Sequence, residues 1–458
     1  MAQQGADDSY DIACIGGGPA NLSLTALGQH ATDCKIGIFD QRCAFDWHAQ
    51  AMFDESYLQT SFLEDLVTPV MPTHPLSFVN YLYQRGRLPQ FLNFNAQRIT
   101  RAEFQDYLFW ADSKLDNVHR EAKVEDVEFD GNQFIVHHAK GKIRSNALSI
   151  GVGLTTFLPE WAEGKAGVYH AWDILSERPD MSGKRVIVVG GGQSSAEIVM
   201  TILNERFGRI SELKWVCRRP NLIPIDRSPF VNEFYSPQFV AHFSKLPKGQ
   251  RSIIDGSVWR NFDGVSPETV ETIYGMIYDL KLTGGDAPKA DVIVGHEVTD
   301  IQLSGSQKLV FVKSTSSDRV TPVSADVIIF AGGFQRPFPP FMSRLKSRMD
   351  LDDEDFQLGP TYRAAWDGPK ENAIYAMNRG RGSHGVVDSS LCMAAWRSAT
   401  ILNDYLGYNA IEILQARSPI DWDFGLGQTV CAKAGLTAAN SPACSSKAAE
   451  RRALGALS

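Results

Sequence analysis

The 458-residue sequence predicts an α/β protein in which one strand–turn–helix–strand unit occurs twice. Two observations lead to this prediction: two short apolar runs each end in three consecutive glycines, and helical periodicity follows each glycine run. A third is the composition, because 43% hydrophobic and 21% charged residues are typical of a globular protein with a sizeable core. At roughly 100–200 residues per domain, the length predicts about three lobes.

The first unit occupies the N-terminal region. The apolar run Tyr10–Ile15 is its predicted first strand, three glycines form the turn, and Lys35–Phe39 is the predicted second strand. A glycine turn of this kind lets a pyrophosphate approach the backbone at the start of the following helix, so the unit is a predicted Rossmann-like dinucleotide-binding site. Its predicted binding residues are Gly16, Gly18, Pro19 and Asn21.

The second unit repeats this pattern in the middle of the chain. The strand Arg185–Val189 leads into three glycines, a helix follows, and Leu213–Cys217 is the next strand. In both units a polar residue, Asn21 or Ser195, stands where the third glycine of the usual motif is found. The predicted binding residues of the second unit are Gly190, Gly192, Gln193 and Ser194.

The residues that follow the second strand of each unit differ in charge. Asp40 is expected to accept hydrogen bonds from a ribose diol, whereas Arg218 and Arg219 are expected to bind a 2′-phosphate. The sequence therefore predicts FAD in the first unit and NADPH in the second. The alternative for the two arginines is a solvated surface pair.

Further elements complete the α/β pattern. Strands are predicted at Phe134–His138, Ala147–Ile150, Leu309–Val312 and Ala325–Phe330, and helices at Arg101–Leu115, Pro267–Leu280 and Ser389–Leu406. The predicted domains are an FAD-binding domain at 9–175, an NADPH-binding domain at 176–300 with a substrate-side segment at 228–280, and a return to the FAD and substrate region at 301–408. A tail at 427–458 is predicted to be disordered because it has little periodic apolar content.

Composition excludes several classes of protein. The net charge of −8 argues against a nucleic-acid binder, which needs a basic surface. Seven cysteines without a C-x-x-C pair argue against a disulfide framework, a zinc site and a thiol relay, and no metal is predicted. The polar N-terminus and the lack of an apolar run of about 18 residues predict a cytoplasmic enzyme without a membrane span. We expect it to be a homo-oligomer, a dimer or a tetramer.

Two dinucleotides in one chain imply hydride flow from NADPH to the flavin. Because no cysteine pair is available to take the electrons, O2 is the natural acceptor. The sequence therefore predicts a flavin monooxygenase that holds a C4a-hydroperoxyflavin in a pocket from which water is excluded.

Six linked motifs lie between residues 9 and 408: GGGPANL (16–22), FDWHAQAMF (45–53), YLQTSFLEDLVTP (57–69), GGGQSSAE (190–197), SPFVNEFYSP (228–237) and SHGVVDSSLCMAAWRSA (383–399). Together they resemble the class B flavin monooxygenases that N-hydroxylate amines for siderophore biosynthesis. This family includes lysine, ornithine and putrescine N-hydroxylases.

The resemblance implies roles for individual residues, with Gln59, Asn232 and Cys392 as the catalytic set. It places Gln59 beside the isoalloxazine, Trp47 and His48 at the flanks of the flavin, and Gln193 and Ser194 on NADP⁺. It also implies that Asn232 is shared between NADP⁺ and the substrate, that Asn261 lies on the substrate side, and that Cys392 replaces a family serine near substrate and flavin.

One departure from the family pattern concerns the substrate. Amino-acid hydroxylases of the family typically read FLKDL, and their lysine holds the substrate carboxylate, but this sequence has Glu64 at that position. Two carboxylates about 4 Å apart at an effective dielectric near 20 repel each other by roughly 4 kcal/mol, whereas an ammonium is attracted by a similar amount. The alternative is that Glu64 faces solvent or pairs with a basic residue while another cation holds a carboxylate.

The predicted function is N-hydroxylation of one primary amine of an aliphatic diamine, putrescine or cadaverine, for hydroxamate siderophore biosynthesis. The alternative within the family is L-lysine N6- or L-ornithine N5-monooxygenase. A non-hydroxylating flavin oxidase or an NADPH-binding regulatory protein is the third possibility. The reacting amine must be neutral, and its ordinary pKa is near 10.4, so the pocket must lower that pKa or supply a base. The sequence does not identify the base.

Overall fold

The computed structural model describes residues 8–53, 56–258, 260, 263–304, 307–414 and 418–423. The predicted tail at 427–458 and Asn261 lie outside these residues. One compact unit extends to Ile420, and all elements given below belong to it.

The N-terminal part of the chain forms a mixed sheet with helices packed on it. Its elements are β1 (Ser9–Ile15), α1 (Pro19–Ala31), β2 (Ile36–Phe39), α2 (Phe78–Gln84), α3 (Leu88–Phe94), α4 (Arg101–Asp112), β3 (Val118–His119), β4 (Val124–Phe129), β5 (Phe134–His138) and β6 (Gly141–Ile150). The strand order is β3-β2-β1-β6-β5-β4, parallel from β3 to β6 and antiparallel beyond. Fully buried Ile12, Cys14 and Ile38 show why the first two strands are continuous apolar runs.

A second, entirely parallel sheet has the order β11-β10-β9-β15-β8. The elements in this part of the chain are β7 (Thr155–Thr156), β8 (Val168–His170), α5 (Ile174–Glu177), β9 (Arg185–Val189), α6 (Gln193–Leu203), β10 (Glu212–Cys217), α7 (Pro229–Asn232), α8 (Pro237–Lys245), α9 (Lys248–Ser257), α10 (Pro267–Thr283), β11 (Lys289–Val294), β12 (His296–Ser304), β13 (Gln307–Ser314), β14 (Val320–Ala325) and β15 (Val327–Phe330). Strands β12, β13 and β14 form a separate antiparallel sheet.

The chain then returns to the first sheet. The remaining elements are β16 (Phe334–Gln335), α11 (Ser343–Lys346), β17 (Leu351–Asp352), β18 (Asp355–Phe356), β19 (Ile374–Ala376), α12 (Arg381–His384) and α13 (Ala394–Leu406), together with short 3-10 helices at Ala49–Ala51, Pro340–Met342 and Leu391–Met393. Strand β19 pairs with β6, and α13 packs against α1. Strand β16 pairs with β7, so the two segments that cross between the lobes run side by side.

Several helices begin after a residue whose side chain caps the first turn. The hydroxyls of Thr100, Ser236 and Ser266 accept hydrogen bonds from backbone N–H groups in the first turns of α4, α8 and α10. These bonds satisfy donors that a helix cannot satisfy internally. The predicted helices at 101–115 and 267–280 therefore start at the residues expected.

The predicted α/β fold with two Rossmann-like lobes is confirmed, but the predicted domain limits do not coincide with the sheets. Strands β8 and β15 both lie in the second sheet, although the NADPH-binding domain was predicted to cover only 176–300. The second sheet therefore contains one strand from before this range and one from after it. In the sheet, β15 lies between β9 and β8. In the part of the chain that the structure describes, no helix is long and apolar enough to cross a membrane.

Candidate functional site

The first glycine turn is a tight turn whose geometry is compatible with a bound pyrophosphate. Gly16 has a φ of +95°, and a Cβ atom there would lie 2.5 Å from the Gly151 carbonyl oxygen, so only glycine fits. Gly18 has an ordinary φ of −86°, and no protein atom lies within 4 Å of the position of its missing Cβ. No side chain caps the N-terminus of α1, where Pro19 stands in the first turn. An uncapped helix N-terminus with open space at Gly18 fits an anionic pyrophosphate.

Asn21 occupies the third-glycine position and is fully buried. Its side-chain amide donates to the carbonyl oxygens of Gly16 at 2.8 Å and Ile15 at 3.2 Å, and its oxygen accepts from the Ser149 hydroxyl at 2.7 Å. The side chain thus joins the turn to β6. These hydrogen bonds of Asn21 fix the backbone of the glycine turn. The role of Asn21 in binding the cofactor stays a prediction.

Asp40 ends β2 as predicted, but its carboxylate is already surrounded by protein donors. It accepts hydrogen bonds from the Gly17 N–H at 2.6 Å, from the Arg42 N–H at 2.8 Å and from the Arg42 guanidinium at 2.7 and 3.0 Å. Burial works to raise the pKa of Asp40, yet the bonds from Arg42 and Gly17 lower it below its ordinary value. Arg120 lies 3.6 Å away. The position of Asp40 after the second strand predicted this residue, but it did not predict that Arg42 and Arg120 would lie next to it.

The second glycine turn repeats the geometry of the first. Gly190 has a φ of +140°, and a Cβ there would lie 2.5 Å from the Ala331 carbonyl oxygen. Gly192 precedes α6, and no side chain caps this helix. The first residues of α6 are Gln193 and Ser194, which are both half-buried. This helix N-terminus therefore also fits a pyrophosphate.

The two arginines after β10 differ in exposure. The alternative of a solvated surface position fits only one of them. Arg218 is exposed. Arg219 is half-buried, forms an ion pair with Asp263 and lies 3.4 Å from the Gly191 carbonyl oxygen. At least one guanidinium thus lies at the second glycine turn, where a 2′-phosphate is expected.

An aromatic cluster surrounds His48. The ring of His48 lies 4.7 Å from that of Trp47 and 5.4 Å from that of Trp172, and Trp172 lies 4.6 Å from Phe334 in the crossing segment. Burial, and to a smaller extent the charge of Arg101, lower the pKa of His48 to about 4, so the imidazole is neutral at pH 7.

The family resemblance places Gln59 beside the flavin and Gln193 on NADP⁺. In the structure both residues line one cavity of about 60 Å³. Arg98, Glu268 and Thr269 also line it. Gln59 is exposed, whereas the Gln193 amide is held by protein on both sides. Its oxygen accepts from the Ser266 N–H at 2.8 Å, and its nitrogen donates to Glu197 at 2.9 Å. The tertiary structure therefore brings both lobes together at this point.

The charge of Glu64 acts on Cys392. Cys392 is buried, and its pKa is raised to about 12 by burial and then by the nearby Glu64 carboxylate. Tyr235 is affected by the same residues, because burial raises the pKa of its phenol and an ionised Cys392 would raise it further. These three residues come from widely separated parts of the chain. Tyr235 lies within the motif SPFVNEFYSP, but the sequence had not predicted a role for it.

The orientation of Glu64 is set by its neighbour in the chain. Asp65 is fully buried and accepts hydrogen bonds from the N–H groups of Val67 at 2.9 Å and Phe78 at 2.6 Å. The Glu64 carboxylate accepts one from the Ser61 N–H at 2.8 Å. Burial raises the pKa of Glu64. Within the described ranges, Glu64 forms no ion pair with a lysine or arginine.

Of the two asparagines predicted on the substrate side, the structure describes only Asn232. Asn232 is exposed at the end of α7, and its amide donates to the Arg227 carbonyl oxygen at 3.3 Å. Asn261 lies outside the described residues. Among the residues that the structure does describe, no group of three His, Cys, Asp or Glu side chains could hold a metal ion.

Comparison with known proteins identifies the family. Residues 8–336 match the family model of L-lysine 6-monooxygenase/L-ornithine 5-monooxygenase. The L-lysine N6-monooxygenase of Escherichia coli is 31% identical over 91% of this chain and 99% of its own length. The putrescine N-hydroxylase of Acinetobacter baumannii is also 31% identical, over 87% of this chain and 90% of its own. Sequence identity thus does not separate an amino-acid substrate from a diamine.

Solved structures agree with this assignment. The FAD-bound cadaverine monooxygenase of the desferrioxamine pathway from Erwinia amylovora superposes with a TM-score of 0.84, at 26% identity, over 90% of this chain and 98% of that one. An ornithine N-hydroxylase from Kutzneria sp. 744, solved with reduced FAD, NADP⁺ and L-ornithine, superposes with a TM-score of 0.79, at 27% identity, over 87% and 99%. The predicted cofactors, FAD and NADPH, are confirmed. The chain belongs to the L-lysine 6-monooxygenase/L-ornithine 5-monooxygenase family and is a flavin-dependent N-hydroxylating monooxygenase.

Proposed function

We propose that this enzyme N-hydroxylates one amino group of an aliphatic diamine of the putrescine or cadaverine type, for hydroxamate siderophore biosynthesis. The observation that carries the proposal is the Glu64 carboxylate, which is half-buried and whose charge helps to raise the pKa of buried Cys392. In the described part of the chain it has no cationic partner. A substrate ammonium would supply the missing positive charge.

The energetics of Glu64 favour a cation over an amino-acid carboxylate. Burial already disfavours the charged form of Glu64, as the raised pKa indicates. A second carboxylate close by would add repulsion of roughly 4 kcal/mol at 4 Å, whereas an ammonium at the same place would be attracted by a similar amount. A diamine places its non-reacting ammonium at Glu64 and leaves the other amine for oxidation.

The cofactors would occupy the two glycine turns. Gly16, Gly18 and the start of α1 would hold the FAD pyrophosphate, and Gly190, Gly192 and α6 that of NADPH, with Arg219 near the 2′-phosphate. When bound, FAD accepts a hydride from NADPH and activates the O2 whose oxygen atom is transferred to nitrogen.

The chain's own side chains would control water and protons around the reacting amine. The rings of Trp47, His48 and Trp172 pack edge to face and would exclude water from the flavin. Cys392 stays a neutral thiol at neutral pH, because its pKa is about 12, and so it serves neither as a base nor as a nucleophile. Its small side chain would shape the pocket.

Substitutions at Glu64 test the proposal. Glu64→Gln should raise the KM for putrescine or cadaverine about 10- to 100-fold with a smaller change in kcat, because the lost charge-assisted contact is to the non-reacting end. Glu64→Lys should abolish diamine hydroxylation and favour lysine. The measurement is hydroxylamine formed per NADPH oxidised, for putrescine, cadaverine, L-lysine and L-ornithine.

The matched control is Glu125→Gln, which makes the same change at an exposed position on β4. It should leave every kinetic constant within about twofold of the unaltered enzyme, as expected for a surface substitution. Coupled hydroxylation of lysine that equals or exceeds that of both diamines in the unaltered enzyme would refute the diamine proposal.

L-Lysine is the second candidate, and Arg381 is the observation in its favour. The charge of Arg381 acts on Tyr235, which also lies near Cys392, so a substrate carboxylate could pair with it while the α-ammonium meets Glu64. Against this, Arg381 already forms an ion pair with Asp255 at 3.0 Å. If lysine is the substrate, Arg381→Gln should raise its KM and leave that of cadaverine unchanged.

A further inference from the structure

A buried carboxylate joins the two lobes on the helix that begins at the second glycine turn. Glu197 lies on α6 and is 1% exposed. It forms an ion pair with Arg101, the first residue of α4 in the other lobe, and accepts a hydrogen bond from the Ser56 hydroxyl at 3.1 Å. Its third partner is the Gln193 amide, at 2.9 Å.

The partners of Glu197 belong to the segments that the motifs associate with the cofactors. Gln193 begins α6, at the second glycine turn. Ser56 precedes the segment that contains Gln59, and its carbonyl oxygen accepts from the Arg101 N–H at 2.8 Å. The Arg101 guanidinium donates to the Ala51 carbonyl oxygen at 3.1 Å, in the 3-10 helix that follows His48. One carboxylate therefore connects the NADPH-side helix to both flavin-side segments.

We propose that Glu197 is a positioning residue for hydride transfer: it sets the angle of α6, and with it the NADPH bound at the start of α6, relative to the FAD lobe. A buried charge that loses one of its hydrogen-bond or ion-pair partners is strongly unfavourable. The Glu197 contacts therefore restrict the orientation of the two lobes more than apolar packing would. Hydride transfer depends steeply on the distance between donor and acceptor, and a displacement of about 1 Å can cost roughly 100-fold in rate.

The same contacts give Gln193 an indirect role. Both ends of its amide are engaged, by the Ser266 N–H and by Glu197, so its side chain has little left to offer the nicotinamide. Gln193 instead extends the Glu197 contact to the start of α10, since Ser266 caps that helix. The motif glutamine thus acts on NADPH through the orientation of its helix.

Glu197→Gln tests the proposal, because it keeps the shape of the side chain and removes its charge. The rate of FAD reduction by NADPH, measured anaerobically by stopped flow, should fall at least tenfold. The Kd of NADPH should stay within about threefold, because the glycine turn itself is unchanged. FAD content and the rate at which dithionite-reduced enzyme reacts with O2 should also be unchanged, and a general loss of structure would not spare them.

The matched control is Glu205→Gln, an exposed carboxylate just beyond α6 that pairs with Arg209 on the surface. It should reduce FAD at the normal rate. If Glu197→Gln does not fold, Ser56→Ala removes one hydrogen bond and keeps the ion pair, and FAD reduction should then slow about three- to tenfold. A normal rate of reduction in the folded variant, or a loss only in proportion to FAD content, would overturn the proposal.

Discussion

Gly18 and Gly192 precede the two helices that would carry the dinucleotides, and neither needs to be glycine for the fold. Their φ angles of −86° and −107° are open to any residue. No protein atom lies within 4 Å of a Cβ at Gly18, and the nearest to Gly192 is an Asp263 oxygen at 4.0 Å. The absence of a side chain is therefore a feature of the ligand site, whereas Gly16 and Gly190 are required by the backbone.

Gly18→Ser should consequently fold and yet lose FAD. Serine is favoured before the first turn of a helix, so stability should be kept or improved. Its hydroxymethyl group would occupy the space that the pyrophosphate needs, and the Kd of FAD should rise about tenfold or more. Titration of apoprotein with FAD gives the value.

Gly192→Ser is the reciprocal control for this prediction. It should retain FAD and weaken NADPH binding instead. If Gly192→Ser lost its FAD while Gly18→Ser kept it, the order of the two cofactors along the chain would have to be reversed.

Helix α1 is held at its middle by a histidine that must be neutral. The His74 Nε2 lies 3.1 Å from the Ala26 carbonyl oxygen, and its Nδ1 accepts from the Leu76 N–H at 3.0 Å. Only the tautomer with a proton on Nε2 satisfies both contacts. Burial, together with the nearby His30, lowers the pKa of His74 to about 4.

This tautomer predicts how stability depends on pH. Because the unfolded chain binds the proton near pH 6.5 and the folded chain only near pH 4, stability is full above pH 6.5 and is lost as the pH falls towards 4. One such histidine contributes a slope of about 1.4 kcal/mol per pH unit in that window. Urea unfolding between pH 4.5 and 7 measures it.

His74→Gln should make this dependence shallower, since glutamine can donate and accept in the same places without titrating. Part of the slope should remain, because His48 has a similarly lowered pKa. An unchanged slope in the variant would show that His74 does not titrate as its contacts require.

The two lobes are connected by adjacent crossings that depend on glycine. Gly333 has a φ of +100°, immediately before β16, which pairs with β7 of the other crossing. Its carbonyl oxygen lies 3.3 Å from the His170 Nε2, on the strand at the edge of the second sheet. The conformation of this one residue therefore affects how the chain leaves the second lobe.

Gly333→Ala should lower the free energy of unfolding by about 1–2 kcal/mol, since a Cβ disfavours positive φ. Gly332→Ala is the matched control, because neither position has an atom within 4 Å of a Cβ and only Gly333 has positive φ. The control should be neutral or slightly stabilising. The midpoint of urea denaturation distinguishes them, and equal midpoints would contradict the prediction.

The local features of this protein could be predicted from the amino-acid sequence. Strands β1, β9 and β10, the glycine turns and the starts of α4 and α10 were all predicted within a residue or so. These features depend on interactions between near neighbours in the chain, such as apolar periodicity, positive φ at glycine and helix capping. Local sequence also predicted FAD and NADPH as the cofactors, because the glycine turns indicate dinucleotides and the charge of Asp40, Arg218 and Arg219 after the next strands distinguishes the two.

The tertiary structure alone decided which distant side chains meet. The Glu64 charge acts on Cys392, Arg101 pairs with Glu197, and Arg120 lies 3.6 Å from the Asp40 carboxylate. The extent of the second sheet was likewise set by strands outside the predicted domain. Such contacts depend on the packing angle of helices and on sheet order, and the periodicity of a segment does not specify the residue it will face. A buried charge is satisfied by whatever the fold brings to it, and that partner can come from any part of the chain.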